Sequence, residues 1–263
     1  MQESLGFKFN GKHSSEFGVV LAHTSGSLYQ EQSTMKFQSE IMTNSFTGDT
    51  VVEKDKKEPY KFKFIIFLEK WKERNNYRDI MRWLNTEGFE ELSFDSHPDK
   101  LVFAKVTEFN DLNHNGNMQG YFEVEFTANS AMIYSQQKTT DEVVVNGSHT
   151  FEIYNEGDSY CYPSVWIEKL GTGSISIQVN EEKPLEIEKI NNKEKVFIDN
   201  RRRFILSSQE EVGVYRANDH NHVWIKVPPS YLNTNEDRKH ELITVRGNCR
   251  IQLKWFEEYY SLY

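Results

Sequence analysis

Two histidines flank one asparagine in the sequence His220-Asn221-His222. Alternate side chains of an extended segment point to the same side, so this spacing places two imidazoles on one face. Zinc would need a third protein ligand, and usually a fourth. Asp219 is adjacent, but the sequence does not place it against the two rings. We therefore expect a polar loop here, and no bound metal or other cofactor.

Carboxylates are the second group that could do chemistry, because glycosidases use two of them on either side of a sugar. Acidic residues are abundant in the second half: Glu181, Glu182, Glu186, Glu188, Glu210 and Glu211. Abundance does not mark a catalytic pair, and Glu186 and Glu188 alternate with Leu185 and Ile187 as on a solvated strand face. The sequence contains no Gly-x-Ser-x-Gly elbow and no Walker or dinucleotide-binding loop. We expect a protein that is not an enzyme.

Tryptophans offer a third kind of chemistry, because an aromatic face can stack on a sugar ring. Trp166, Trp224 and Trp255 lie in the second half of the chain. The competing interpretation is a core role, since each such ring can bury about 150–250 Å². Trp166 and Trp224 sit within apolar segments, which favours the core. A carbohydrate-binding β-sandwich or a host-wall adhesin stays as the alternative function, with these three tryptophans as candidate sugar-facing residues.

The charge balance argues against a nucleic-acid binder. The chain has 31 Lys and Arg against 40 Asp and Glu, a net charge of -9. Affinity for nucleic acid depends on cations that neutralise phosphates, so a basic excess is expected of such proteins. The tract Arg201-Arg202-Arg203 is short and is interpreted as a solvated turn. We expect no sequence-specific binding of nucleic acid.

Membrane and redox roles have equally little support. Apolar runs stay well below the roughly 20 residues that span a bilayer. The start, Met1-Gln2-Glu3-Ser4, is unlike a secretory signal, so we expect no membrane insertion and a protein that stays in the cytoplasm where it is made. The two cysteines, Cys161 and Cys249, make no disulfide or metal framework and are interpreted as small core residues.

The first half of the chain should hold strands around one helix. Tyr60–Phe64 alternates like a strand and continues as Ile65-Ile66-Phe67. Ile80 and Leu84 share one face of a helix with Tyr77 and Met81. Asn76 should cap this helix and Gly88 should end it.

Residues 23–59 are polar and irregular, and the tract Glu53–Glu58 is predicted to be a solvated loop or hairpin tip. A segment of that kind needs something to pack against. Its apolar residues are therefore candidates for a contact between subunits: Leu28, Met35, Phe37, Ile41 and Phe46.

A polar stretch at 135–140 is the predicted domain boundary, which gives domains 1–137 and 138–263. The second half is predicted to be a β-sandwich or jelly roll of short strands. Asn146-Gly147-Ser148 is predicted to be a hairpin turn between two of them. Further strands are expected at Val223–Val227, Glu241–Arg246 and Ile251–Phe256.

The ordered set of motifs resembles the distal tail proteins of long-tailed, siphovirus-type bacteriophages that infect Gram-positive bacteria. Each motif is a common strand or turn, and the order over almost the whole chain makes the resemblance specific. The segments that carry it are Phe7-Lys8-Phe9-Asn10-Gly11, Phe17-Gly18-Val19, Arg82-Trp83-Leu84, Gly120-Tyr121-Phe122, Ala131-Met132-Ile133, Phe151-Glu152-Ile153, Tyr162-Pro163-Ser164 and Val196-Phe197-Ile198.

The resemblance implies a mainly β protein. Its N-terminal β-sandwich or split-barrel domain, with one helix, would form a ring of six copies, and a galectin-like, jelly-roll type β-sandwich would hang outside it. The ring would sit at the distal tail tip of the virion, join the tail tube protein to the tail-tip hub or baseplate, and let DNA pass. It would be assembled in the bacterial host cytoplasm.

The resemblance also names the receptor-binding protein as a further partner. Some relatives grip that partner with a long arm inserted in the C-terminal domain, and this chain lacks such an insertion.

Overall fold

The chain is mainly β, as the sequence predicts. The computed structural model describes residues 6–22, 36–43, 47–68, 76–116, 119–216, 219–232 and 240–262. It divides into two compact units, one of Met1–Tyr134 with Tyr260–Tyr263, and one of Ser135–Tyr259. The mainly β class and a two-domain β-sandwich architecture are confirmed.

The first unit contains the strands β1 Phe7–Phe9, β2 Lys12–His13, β3 Val19–Ala22, β4 Lys36–Thr43, β5 Thr50–Glu58, β6 Lys61–Leu68, β7 Glu90–Phe94, β8 His97–Phe109, β9 Asn113–His114 and β10 Gly120–Ala128, followed by β11 Ile133–Ser135. They form a curled sheet in the order β2-β1-β7-β8-β10-β6-β3, with β9 beside β10, and a separate pair of strands, β4 and β5. A 3-10 turn at Ser14–Phe17 and the helix α1 at Asn76–Leu84 connect parts of the unit.

Aromatic residues fill the core of this unit. Phe122, Val124 and Phe126 alternate along β10 and are buried, while the residues between them are more exposed. Strict alternation is what a sheet with one buried face produces. The ring of Phe126 meets that of Phe9 edge-on, with centroids 5.2 Å apart.

The helix α1 packs through Ile80, Trp83 and Leu84, which are all buried. Ile80 and Leu84 were predicted, and their burial is confirmed. Trp83 was not assigned to this face, although its indole Nε1 donates to the Phe9 carbonyl at 2.8 Å and its ring stacks on Phe17 at 4.4 Å. The helix ends at Leu84, so the predicted end at Gly88 is wrong.

The second unit contains the strands β12 Lys138–Thr139, β13 Val143–Ile153, β14 Ser164–Lys169, β15 Gly173–Val179, β16 Leu185–Ile190, β17 Lys195–Asp199, β18 Phe204–Ser207 and β19 Glu241–Trp255. They form one sheet folded on itself, in the order β16-β15-β19-β14-β17-β18, with β12 and β13 also paired to β19. Short 3-10 turns lie at Glu210–Val212 and Ser230–Leu232. The two-residue strand β20 Glu258–Tyr259 follows β19 and is not part of this sheet.

The predicted hairpin turn at Asn146-Gly147-Ser148 is wrong, because these residues lie inside β13. Gly147 pairs with Gly247 of β19, and both have positive φ, 93° and 132°. Two long antiparallel strands therefore bend at the same register position. The positive φ that Asn-Gly accommodates serves a bend within a strand rather than a reversal of the chain. For the same reason the predicted strands Glu241–Arg246 and Ile251–Phe256 form one strand.

The bend allows β19 to join the two layers of the unit. Its first part pairs with β15, from Ile243 to Arg246, and its second part with β14, from Cys249 to Lys254. Inward side chains of both parts meet in one apolar core. Cys161 and Cys249 are free and buried in that core, as predicted, and burial raises the pKa of the Cys249 thiol to about 11.

The segment Val223–Val227 packs in the core without forming the predicted strand. Ile225 and Val227 are buried, and Val227 makes an isolated bridge with Cys161. The backbone N–H of Ile225 donates to the side-chain oxygen of Asn200 at 3.0 Å. A side-chain acceptor therefore replaces a ladder partner at this residue, which apolar patterning alone cannot reveal.

Candidate functional site: an exposed hairpin and a sheet-face groove

The β4–β5 hairpin forms a two-stranded sheet separate from the larger sheets of the described residues. Its charged tract Glu53–Glu58 lies in β5, so the predicted loop or hairpin tip at this tract is wrong. Ile41 is 61% exposed and Met42 is 60% exposed. As consecutive residues of a strand they point to opposite sides, so both faces of the hairpin carry an uncovered apolar side chain.

The five residues predicted for a subunit contact are placed unequally by the structure. Leu28, Met35 and Phe46 lie outside the described residues, and the side chain of Phe37 in β4 is likewise not described. Ile41 lies on the exposed hairpin. Met42 was missed, although an Ile-Met pair in an otherwise polar segment was a visible signal.

A groove of about 550 Å³ opens on the outer face of the second unit. Its floor is a row across three strands, in which Trp166 pairs with Phe197 and Phe197 with Leu206. Trp166 is 49% exposed and Leu206 is 47% exposed, so the favoured assignment of Trp166 to the core is wrong. Alternation along β14 explains it: Val165 and Ile167 take the core face, and Trp166 takes the other.

Polar and charged side chains line one side of this row. Arg250 pairs across the strands with Glu168, and Glu168 with Lys195. The guanidinium of Arg250 lies 3.2 Å from the carboxylate of Glu142 and 3.3 Å from that of Glu168. On the other side, the ammonium of Lys254 lies 5.9 Å from the centre of the Trp166 ring.

The other two candidate tryptophans are much less available. Trp255 is 8% exposed, and Trp224 is half-buried against the core. The ring of Trp224 meets that of His220 edge-on at 4.9 Å, and His220 lies 4.5 Å from His222. These histidines therefore belong to an aromatic cluster beside the core.

The acidic residues divide into surface groups and a few buried ones, and in the pair of Glu194 with Arg216 both partners are buried. Glu186 and Glu188 are exposed while Leu185 and Ile187 are buried, which confirms the solvated strand face. Glu194 is fully buried and receives hydrogen bonds from Arg216 Nε at 2.7 Å and Nη2 at 2.6 Å.

Burial alone would raise the pKa of Glu194. Hydrogen bonds from Arg216, the Asn191 backbone and Ser207 outweigh burial and hold that pKa below its ordinary value. An arrangement of this kind fixes loops against the sheet and leaves the carboxylate no proton to donate.

Within the described ranges, no group of three or more His, Cys, Asp or Glu side chains is arranged to hold a metal ion. The same part of the chain contains no helix with the length and apolar character needed to cross a membrane. The exposed hairpin and the sheet-face groove are two surfaces, among the residues that the structure describes, on which apolar side chains lie outside the cores.

Comparison with known proteins gives matches over both units. A model described as phage tail protein N-terminal domain matches residues 2–130, and one described as phage tail C-terminal domain matches residues 133–255. The chain is 28% identical over 262 residues to the SPbeta prophage-derived protein YomH of Bacillus subtilis (strain 168), covering 98% of this chain and 99% of the relative.

Solved structures share the fold at low sequence identity. The Dit protein (gp 19.1) of phage SPP1 matches with a TM-score of 0.67 and 10% identity, over 97% of this chain and 99% of that chain. A chain of the phage P2 baseplate in its activated conformation with Ca matches with a TM-score of 0.55 and 8% identity, over 97% and 98%. The chain therefore belongs to the phage tail proteins, with N-terminal and C-terminal domains of that family in order and with the fold of a distal tail protein.

Proposed function

We propose that this structural tail protein forms a closed ring, of six copies, at the distal end of the tail. The ring joins the tail tube protein to the tail-tip hub or baseplate and leaves a channel through which DNA passes. Its work depends on shape and closed symmetry and not on catalysis. The receptor-binding protein is a further candidate neighbour.

The exposed β4–β5 hairpin is the observation that carries this proposal. An isolated two-stranded hairpin is at best marginally stable in water, so it needs a surface to cover it. Ile41 and Met42 expose apolar side chains on both of its faces. A neighbouring copy, repeated by a fixed rotation, can supply the covering surface, and the same contact then closes a ring.

The relatives support the setting of such a ring. SPP1 Dit is presented as a paradigm of the hub adsorption apparatus in Gram-positive infecting phages, and the P2 match is a baseplate. Hubs and baseplates are assemblies in which a repeated subunit contact is required. The net charge of -9 suits a channel that must not retain DNA.

Native mass spectrometry of the full chain tests the proposal. We expect the wild-type protein to give a closed oligomer, with six copies as the main species. Ile41→Asp and Met42→Asp should release monomers, because an unpaired carboxylate buried at a subunit contact is costly. Val212→Asp is the matched control, since Val212 is 77% exposed and belongs to the second unit, whereas the hairpin belongs to the first. It should leave the oligomer unchanged.

Two outcomes would overturn the proposal. A wild-type chain that stays monomeric at high protein concentration would contradict the proposed ring. An oligomer that survives both aspartate substitutions would show that the hairpin does not make the contact. Circular dichroism and thermal unfolding of each variant separate loss of assembly from loss of fold.

A further inference from the structure

The sheet-face groove of the second unit has no role in ring closure as proposed. It is built by residues of four strands and by two residues that flank strands, Glu142 and Ser208, and its apolar floor is only three side chains wide. These side chains are Trp166, Phe197 and Leu206, aligned in one row across β14, β17 and β18. The opposite face of the same strands already packs in the core, where Val165 and Ile198 are buried. The core therefore does not require apolar side chains on the groove side.

Trp166 offers a large planar face at the centre of the groove. It is 49% exposed, and the centroid of the Phe197 ring lies 4.3 Å from its own. Phe197 therefore limits how far the indole can turn, which reduces the entropy that a ligand would have to remove on binding. A rigid, half-exposed aromatic face suits a flat ligand with apolar C–H groups on one side.

The edges of the groove supply both donors and acceptors of hydrogen bonds. The side chains of Glu142 and Glu168 accept, while those of Arg250, Gln252 and Lys254 can donate. Trp166 pairs with Gln252 on one neighbouring strand, so an amide lies in the same row as the aromatic floor. A ligand lying on the indole thus meets polar groups around its rim, as sugar hydroxyls require.

The balance of charge narrows the class of ligand. Three cations and two anions line the groove: Lys195, Arg250, Lys254, Glu142 and Glu168. Arg250 is already paired with both carboxylates, at 3.2 Å and 3.3 Å. A polyphosphate backbone would call for a strong cationic excess, and the centre of a protein–protein interface is depleted of charged residues. A neutral polyhydroxylated ligand fits this lining better than either.

We propose that the groove binds a pyranose unit of a neutral glycan, with one face of the sugar ring stacked on Trp166. The carboxylates of Glu142 and Glu168 accept hydrogen bonds from the hydroxyls of the sugar ring. Arg250 and Gln252 donate hydrogen bonds to the oxygens of other hydroxyls. The volume of about 550 Å³ falls within the usual range of small-molecule sites, about 300–1,000 Å³, and leaves room for more than one sugar ring. In a virion the site would place the second unit against a glycan of the cell surface.

Saturation-transfer NMR with four disaccharides, lactose, cellobiose, maltose and N,N′-diacetylchitobiose, tests the proposal on the full-length protein, since the method tolerates large assemblies. At least one probe should receive magnetisation on its ring protons from the wild-type protein. Trp166→Ala should weaken that binding roughly tenfold or more, because the stacking surface is removed. Trp166→Phe keeps a smaller face and should retain part of the affinity.

Tyr215→Ala is the matched control, because Tyr215 is 65% exposed in the same unit and does not line the groove. It should bind like wild type. The proposal is overturned if no probe binds the wild-type protein, if Trp166→Ala binds as well as wild type, or if Tyr215→Ala loses affinity equally. Native mass spectra of the same samples report ring formation separately, and Trp166→Ala should leave the oligomer intact.

Discussion

Replacing Gly247 by alanine tests the bend on which the second unit depends. Gly247 lies opposite Gly147 in the long β13–β19 pair, and its φ of 132° is one that residues with a side chain rarely adopt. A Cβ atom at this position would lie 2.9 Å from the Ser174 carbonyl oxygen and 3.3 Å from Ile175 Cγ1. Both the backbone conformation and the space therefore disfavour a methyl group.

The two effects can be given magnitudes. An unfavourable backbone conformation costs about 1–3 kcal/mol at a non-glycine residue. The contact with Ser174 is with a backbone atom, so the clash can be relieved only if β15 moves away from β19. That movement would weaken the β15–β19 pairing, which begins at Ser176 and Arg246. We expect Gly247→Ala to lower the free energy of unfolding by about 2–4 kcal/mol, which is large for a single methyl group.

Two other glycines separate these effects. Gly171 has a φ of 79° and open space around its Cβ position, so Gly171→Ala should show the conformational cost alone. Gly157 lacks such a φ, and its Cβ would lie 2.7 Å from the Glu258 carbonyl oxygen, so Gly157→Ala should show mainly the steric cost. The loss in the free energy of unfolding should be larger for Gly247→Ala than for Gly171→Ala.

Urea unfolding provides the measurement, with hydrogen exchange of β13 and β19 peptides reporting on the second unit. Whole-chain probes would mix the two units, whose transitions need not coincide. A Gly247→Ala protein within half a kcal/mol of wild type would refute the argument, because it would mean that β13 and β19 can straighten or shift without cost. A loss equal to that of Gly171→Ala would refute its steric part.

Two further predictions concern the buried ion pair and the domain boundary. Glu194→Gln should destabilise the second unit by about 3–5 kcal/mol at neutral pH, because the buried Arg216 then keeps only its ion pair with the more exposed Asp219. The pKa of Glu194 is below its ordinary value of 4.5, so its contribution is present above that pH and is lost as the pH falls through the folded-state pKa. Urea titrations should therefore show the gap between wild type and variant shrinking in acid, and a constant gap would contradict this assignment. For the proposed boundary at 135–140, brief digestion with subtilisin should give first cuts near the exposed Gln136 and Gln137; first cuts within β14–β18 would move the boundary.

The sequence predicts most strands because alternation follows directly from a sheet with one buried face. Ile80 and Leu84 were found on the helix by the same argument, since spacing determines the face. Trp83 was not, because its burial depends on a carbonyl of β1 and a ring from the 3-10 turn, partners about 70 residues away in sequence. Local patterns carry no information about such partners.

The Asn146-Gly147 motif failed for a different physical reason. Positive φ is a local requirement, but a hairpin and a bent strand both satisfy it. What decides between them is Gly247, roughly 100 residues later, which bends the partner strand at the same register. The pairing of two glycines across a ladder is a long-range fact, and only the register reveals it.

The sequence predicts the positions of exposed apolar residues least well, and these residues are also the candidates for contacts with other molecules. Ile41 has the same side chain as buried residues elsewhere, so the sequence indicates that it needs cover without indicating whose surface provides it. Trp166 lies in an apolar strand, and alternation with its buried neighbours places its side chain on the exposed face. Ile41 stays largely in water and Trp166 stays about half exposed, so folding gains less from these two side chains than from buried ones. We propose a second molecule as the cover for each: another copy of the chain for the hairpin, and a sugar ring for the groove.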